Sequence, residues 1–175
     1  SSIPDYIFWG CTGITELTIP EYVVSIGGRA FCDCTSLSVL RFEARDCKTM
    51  GSKAGSAFLG APISNVIFGP YVTSIPDYAF KDCKTLTSVT IPEDVTSIGA
   101  AAFYDCPNLS TVNFNATECN LSYKAQGQQV ITAFNNPAIP TVNFGPKVHT
   151  IPNYLFYGCS GITDLQLSPS TETIG

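Results

Sequence analysis

One unit of about 23 residues returns along the whole chain, and nothing else constrains the fold as strongly. The stretch from Leu86 to Asn108 shows it in full, and the pattern restarts at Leu109. Reduced to its fixed positions the unit reads L-x-x-V-x-I-P-x-x-V-x-x-I-G/P-x-x-A-F-x-x-C-x-x. Its Phe recurs at Phe8, Phe31, Phe58, Phe80, Phe103, Phe134 and Phe156. An apolar triplet recurs with it: Ile14/Leu17/Ile19, Leu37/Leu40/Phe42, Ile63/Val66/Phe68, Leu86/Val89/Ile91, Leu109/Val112/Phe114, Ile139/Val142/Phe144 and Ile162/Leu165/Leu167.

A longer period lies over the first. Phe8 to Phe80 and Phe31 to Phe103 are each 72 residues, while Phe58 to Phe134 and Phe80 to Phe156 are each 76. Three repeats therefore form a super-unit of two compact members and one extended one. The extended stretches are 43–58 and 115–134, equivalent places from which the extra residues should bulge at the same edge.

The last two apolar positions of each triplet alternate, as one face of a strand must. A single coil of this size cannot bury its own apolar face, so coils must stack and only the array is stable. Pro20, Pro92, Gly27, Gly69, Gly99 and Gly145 turn the chain. Ile26, Ile75, Ile98 and Ile151 are then expected to line the inner side of the returning arc with the Phe column. Helical periodicity is confined to short pieces, so that arc should be irregular or hold brief helical turns.

The composition fits a β-rich chain full of tight turns. Hydrophobic residues make up 45% of the 175, enough for a continuous core, and charged residues only 13%. A net charge of −5 with scattered basic residues argues against a nucleic-acid partner. No apolar run reaches the roughly 18–20 residues needed to cross a bilayer, so membrane insertion is not expected. The N-terminus, Ser1 to Asp5, lacks the charged and apolar regions of a signal peptide.

The unit L-x-x-V-x-I-P-x-x-V-x-x-I-G-x-x-A-F-x-x-C resembles the BspA-like class of leucine-rich repeats, over essentially all of 3–175. The resemblance implies a right-handed, curved, β-rich leucine-rich-repeat solenoid with a parallel sheet on its concave side, here about seven repeats of 22–31 residues. It also implies a secreted or cell-surface, extracellular protein of bacteria or protists that serves adhesion or surface display. It does not imply a particular ligand, because the scaffold defines the class. Residues 1–175 read as one domain. Ile3 and Ile174-Gly175 fall inside the unit, so the terminal caps such arrays need are missing and a larger parent protein is expected.

Five of the eight cysteines, Cys11, Cys34, Cys83, Cys106 and Cys159, occupy one repeat position. They are expected to be buried, reduced thiols that stack up the solenoid and donate weak hydrogen bonds. Cys47 and Cys119 belong to the extended repeats, and a repeated disulfide, Cys34–Cys47 and Cys106–Cys119, is the alternative. Cys32 aligns with Trp9, Lys81, Tyr104 and Tyr157 and is expected to be exposed. One histidine and no C-x-x-C make a zinc site a poor reading, and no metal or cofactor is expected. His149 aligns with Thr73 in a surface turn, where nothing completes a nucleophilic triad. The acids Asp5, Asp77, Glu21 and Glu93 are repeat positions, and no cleft sets them at the separation glycosidases need. The sequons at Asn108, Asn115 and Asn120 read as chance, with Asn115 and Asn120 open to glycosylation in a eukaryotic secreted protein. The chain is therefore not expected to be an enzyme.

What remains is surface. The sheet's outward columns are Glu16, Val39, Asn65, Ser88, Thr111, Thr141, Asp164 and Thr18, Arg41, Ile67, Thr90, Asn113, Asn143, Gln166. Candidate partner-contacting residues on this face are Arg41, Asn65, Ile67, Asn113 and Asn143. Interface hot spots favour Trp, Tyr and Arg, and the sheet offers only Arg41. Aromatics such as Tyr6, Trp9, Tyr78, Tyr104, Tyr154 and Tyr157 lie on the returning arc instead. Contact is therefore expected at the extended repeats, with Lys48, Lys53, Tyr123 and Lys124 as candidates, or on the arc flank. The expected function is a monomeric adhesion module recognising a host-matrix or cell-surface protein, or a glycan. The competing reading is a stalk that displays other domains.

Overall fold

Each repeat closes one turn of a β-solenoid, and seven turns stack along the chain. The computed structural model describes residues 1–51, 55–126 and 129–175, with side chains at 124–129 outside the description. The principal strands are Glu16–Ile19, Val39–Phe42, Asn65–Phe68, Ser88–Ile91, Thr111–Phe114, Thr141–Phe144 and Asp164–Gln166. They pair in parallel and in the register the repeat dictates, Leu17 with Leu40 and Val66, then Val89 with Val112, Val142 and Leu165. Alternation along each strand sends Val112 and Phe114 inward and leaves Thr111 and Asn113 facing out. Among the described residues there is no helix.

A second line of two-residue strands runs down the returning arc. Here the super-period becomes visible, because the line is cut into three sheets. Ser2–Ile3, Ser25–Ile26 and Thr49–Met50 form the first; Ser74–Ile75, Ser97–Ile98 and Asn120–Leu121 the second; Thr150–Ile151 and Thr173–Ile174 the third. The first two sheets each end on an extended coil. The two extensions do not fold alike, however. The second is four residues longer (Phe103 to Phe134 against Phe31 to Phe58). It folds back as an antiparallel hairpin, Lys124–Gln126 against Gln129–Ile131, the one departure from parallel pairing among the described residues.

The core is a continuous column of the repeated apolar positions. Phe8, Phe31 and Phe58 stack face to face at 5.2 and 5.3 Å, and Phe80, Phe103 and Phe134 at 5.3 and 4.8 Å. Between Phe58 and Phe80 the column is interrupted. Phe68 packs edge-on against Phe80 at 5.7 Å and against Phe42 at 6.0 Å. The principal sheet also breaks there, since Asn65–Phe68 and Ser88–Ile91 share no ladder. Ile26, Ile75, Ile98 and Ile151 line the arc's inner side as expected.

The corners around six of the seven core Phe residues, all but Phe134, use left-handed residues. Two before the Phe these are Tyr6, Arg29, Tyr78, Ala101 and Tyr154, and two after it Asp33, Asp82 and Asp105 or glycine. Such a conformation costs an ordinary side chain on the order of 1–2 kcal/mol. The corner is tied across coils: Asp5 Oδ1 accepts the Gly28 N–H at 2.7 Å, and Asp77 Oδ1 the Ala100 N–H at 2.8 Å. This explains the recurring acid, which holds the next coil.

Candidate interaction surfaces

The outward columns of the principal sheet are those read from the sequence, with Arg41 beside Ile67 and Asn113 beside Asn143. Arg41 and Asn65 are exposed, while Ile67, Asn113 and Asn143 are half-buried. Two of the sheet's amides, Asn113 and Asn143, are engaged within the face. Asn143 Nδ2 donates to Asn113 Oδ1 at 2.9 Å, and Asn113 Nδ2 donates to Thr90 Oγ1 at 3.2 Å. This half of the face is a closed polar ladder.

The exposed aromatics lie elsewhere, and each extended coil contributes to one group of them. The first group sits where principal strands turn toward the arc. Pro20 and Pro70 set these turns, closed by Val23 N–H to Pro20 C=O at 3.1 Å and Val72 N–H to Gly69 C=O at 3.3 Å. The turns project Tyr22 and Tyr71, 77% and 60% exposed. Arg45 of the extended coil stands between the coils, its N–H bonded to Glu21 C=O at 3.0 Å and its C=O taking the Thr73 N–H at 2.9 Å. Its guanidinium meets Glu21 Oε1 at 3.1 Å and lies 5.3 Å from the Tyr71 ring centre. In water these two contacts are worth only about 0.2–1 kcal/mol each. Their effect is to hold the guanidinium in place. Lys48 on the same extension is exposed and paired with Asp46. Tyr22, Arg45 and Tyr71 were not among the residues singled out from the sequence. The available signal was a tyrosine within two residues of a turn proline.

The second group gathers at the other extension. Tyr123, at the root of the hairpin, lies 5.7 Å from Tyr154, which is 6.0 Å from Tyr157, and all three are exposed. The structure thus brings candidate Tyr123 against two arc tyrosines. The side chain of Lys124, and all of Lys53, fall outside the described residues.

The cysteines carry no visible chemistry. All eight are free, so neither Cys34–Cys47 nor Cys106–Cys119 is bonded. Cys34, Cys106 and Cys159 donate to the carbonyls of Phe8, Phe80 and Phe134 in the coil before, at 3.2, 3.2 and 2.9 Å. Cys11, in the first coil, is only half-buried. Cys32 corrects the expectation of exposure: it is 3% exposed. Trp9, Lys81, Tyr104 and Tyr157 reach outward from that position because they are long; a thiol is too short. Trp9 also leans across the neighbouring coil, its indole N–H on Asp33 Oδ2 at 2.9 Å.

Burial pushes the thiols up, Cys47 to about 11 and Cys106 and Cys119 to about 12. A thiol whose folded value lies above its ordinary one binds its proton more tightly when folded. Its contribution is therefore intact below about pH 9 and lost as pH rises toward 12. Thermal melts between pH 7 and 11 should show constant stability up to about pH 9 and a fall beyond it. A rise in stability above pH 9 would contradict the burial.

His149 is exposed, 3.7 Å from Glu172. Among the described residues no cluster of three or more His, Cys, Asp or Glu is placed to hold a metal ion, and no helix is long and apolar enough to cross a membrane.

Residues 1–129 and 130–175 match, in six copies, the model of the family described as BspA type Leucine rich repeat region. No curated protein sequence matches the chain. Solved structures share its fold, among them the following three. A leucine-rich repeat protein from Bacteroides ovatus aligns at a TM-score of 0.58 with 19% identity, over 99% of this chain and 54% of that one. The Leucine Rich Repeat protein of T. pallidum aligns at 0.51 with 22% identity, over 99% and 66%. A leucine rich cell surface protein from Faecalibacterium prausnitzii aligns at 0.51 with 21% identity, over 87% and 32%. The chain spans about a third to two thirds of the length of these proteins.

Proposed function

Because the chain belongs to the BspA-type leucine-rich-repeat family, whose repeats generally act as interaction scaffolds, we propose that it is a protein-binding adhesion module displayed at the cell surface or secreted. It would dock a host-matrix or cell-surface protein on the flank of Tyr22, Arg45 and Tyr71. The observation that carries this reading is the exposed Arg45 guanidinium, pinned between Glu21 and Tyr71. Tyr and Arg dominate interface hot spots, and a group already held in place loses little entropy on binding. A surface location is supported by the family and by the cell surface protein of F. prausnitzii, whose fold this chain shares.

The test is biolayer interferometry against a panel of matrix and cell-surface proteins, with Arg45→Ala and Tyr71→Ala beside the wild type. Each is expected to cost a bound partner at least about 2 kcal/mol, roughly 30-fold in Kd. Substituting Asn113 on the principal sheet should change little. Unaltered binding by both flank variants would defeat the assignment of the surface. The stalk reading draws on the polar ladder of Thr90, Asn113 and Asn143, which leaves that face self-satisfied. It predicts no saturable binding to any panel member.

A further inference from the structure

At the boundary that follows the first extended coil, three lines of contact between coils are interrupted together. Along the principal sheet, no ladder joins Asn65–Phe68 to Ser88–Ile91 among the described residues. The sequence supplies part of the reason. The residue after a principal strand donates its N–H to the coil before: Glu43 to Ile19 C=O at 3.0 Å, Gly69 to Phe42 at 2.8 Å, Asn115 to Ile91 at 3.0 Å and Gly145 to Phe114 at 2.8 Å. The residue due to reach Phe68 C=O is Pro92, which has no N–H to give. At the corner, the Phe31 and Phe80 N–H groups bond to Ala57 and Ala102 C=O of the next coil at 2.8 and 2.7 Å. The Phe58 N–H instead meets Ser56 Oγ of its own coil at 3.3 Å. The ring stack stops here too, and Phe68, set edge-on in the gap, is half-buried where Ile19, Phe42, Ile91 and Phe114 are fully buried. After the second extended coil, by contrast, the principal ladder runs on, Thr141–Asn143 against Asp164–Gln166, and Phe134 lies 5.3 Å from Phe156.

What spans the boundary lies mostly on the arc. Ser74 bridges to Asp46, and the Thr73 N–H and hydroxyl both donate to Arg45 C=O at 2.9 Å. Thr85 Oγ1 donates to Ile63 C=O at 2.8 Å. In the core, Phe68 and Phe42 meet Phe80 edge-on at 5.7 and 6.3 Å. Hydrogen-bonded ladders fix both distance and direction, whereas apolar contact is non-directional. A boundary held by one short arc bridge and by ring edges therefore resists separation far better than it resists rotation.

We propose that the solenoid bends at this boundary, the block that ends on Asn65–Phe68 turning against the block that begins with Ser74–Ile75, about the Asp46–Ser74 bridge. The principal face is then two half-faces. Arg41, Asn65 and Ile67 stand on one, Asn113 and Asn143 on the other, and a partner that touches both selects the angle between them. The hinge stands without the docking role given to Arg45 and Tyr71. The test is electron–electron distance measurement with spin labels carried on p-acetylphenylalanine, which leaves the cysteines untouched. The pair at Glu16 and Asp164, across the boundary, should give a broader distribution than the pair at Ser88 and Asp164 within one block. A disulfide between Ile67→Cys and Thr90→Cys, the same repeat position on the two unpaired strands, should narrow the first distribution toward the width of the second. Hydrogen exchange on the unaltered chain is the second measurement. The Thr111 N–H donates to Thr87 C=O at 3.3 Å, and the equivalent Ser88 N–H should exchange at least about tenfold faster. The proposal is overturned if the two pairs give equal widths, if the disulfide leaves the first unchanged, or if Ser88 exchanges as slowly as Thr111.

Discussion

Phe103→Ala is expected to lower the unfolding free energy by about 3–5 kcal/mol, the range for truncating a fully buried phenylalanine. Phe103 has ring partners on both sides, Phe80 at 5.3 Å and Phe134 at 4.8 Å, so alanine removes two stacked pairs and leaves a void in the column's middle. A solenoid is held together by contacts between nearest coils. The loss therefore falls on both interfaces of coil five and should also broaden the transition, as the two halves lose their coupling. For a chain of this length the shift in Tm should be about 6–20 °C. Phe8→Ala is the control, since Phe8 is part-exposed and has a partner on one side only. Urea unfolding of the two variants decides it: equal losses would mean that the column is not what couples the coils.

Gly99→Ala should be the most damaging glycine substitution in the described arc. A methyl group there would stand 2.1 Å from Asp77 N and 2.4 Å from Pro76 C, both backbone atoms of the coil before. Backbone cannot swing aside as a side chain tip can, so the two coils must part. The Gly99 N–H bond to Ile75 C=O (2.8 Å) and the Ala100 N–H bond to Asp77 lie in the path of that movement. Forced overpacking of this kind costs about 1–3 kcal/mol, with loosened hydrogen bonds in addition. Gly13→Ala, where the methyl would meet nothing within 4 Å, should change stability little. Thermal unfolding of the pair checks this, and equal Tm values would show that the coils can separate without penalty.

The reason for Gly99 was only half legible in the chain. Its repetition at Gly27 marks it as a turn, but the repeat does not say that the preceding coil's backbone presses on it. The same limit explains Cys32, whose column mates are long and reach solvent while it is short. It also explains why Tyr22 and Tyr71 were passed over. They occupy the turn after the proline, and a turn's exposure depends on what the adjacent extended coil places there, here Arg45. Tyr123 could be singled out from the sequence because it lies in an extension that breaks the period.

Sequence alone determined the seven coils, their register, the Phe and Cys columns and the three-repeat super-period. These follow from a fixed spacing of apolar residues, and a stack of identical coils has one way to bury them. Only the tertiary structure decided how the coils join at the ends of super-units. There the period is broken by insertions of unequal length, and pairing is set by contacts between residues far apart in the chain. The first junction is stitched through Asp46 and Ser74, whereas at the second no pairing joins Asn120–Leu121 to Thr150–Ile151 among the described residues. Four additional residues in a loop mark the difference, and a repeat pattern carries no information about where a loop's backbone goes.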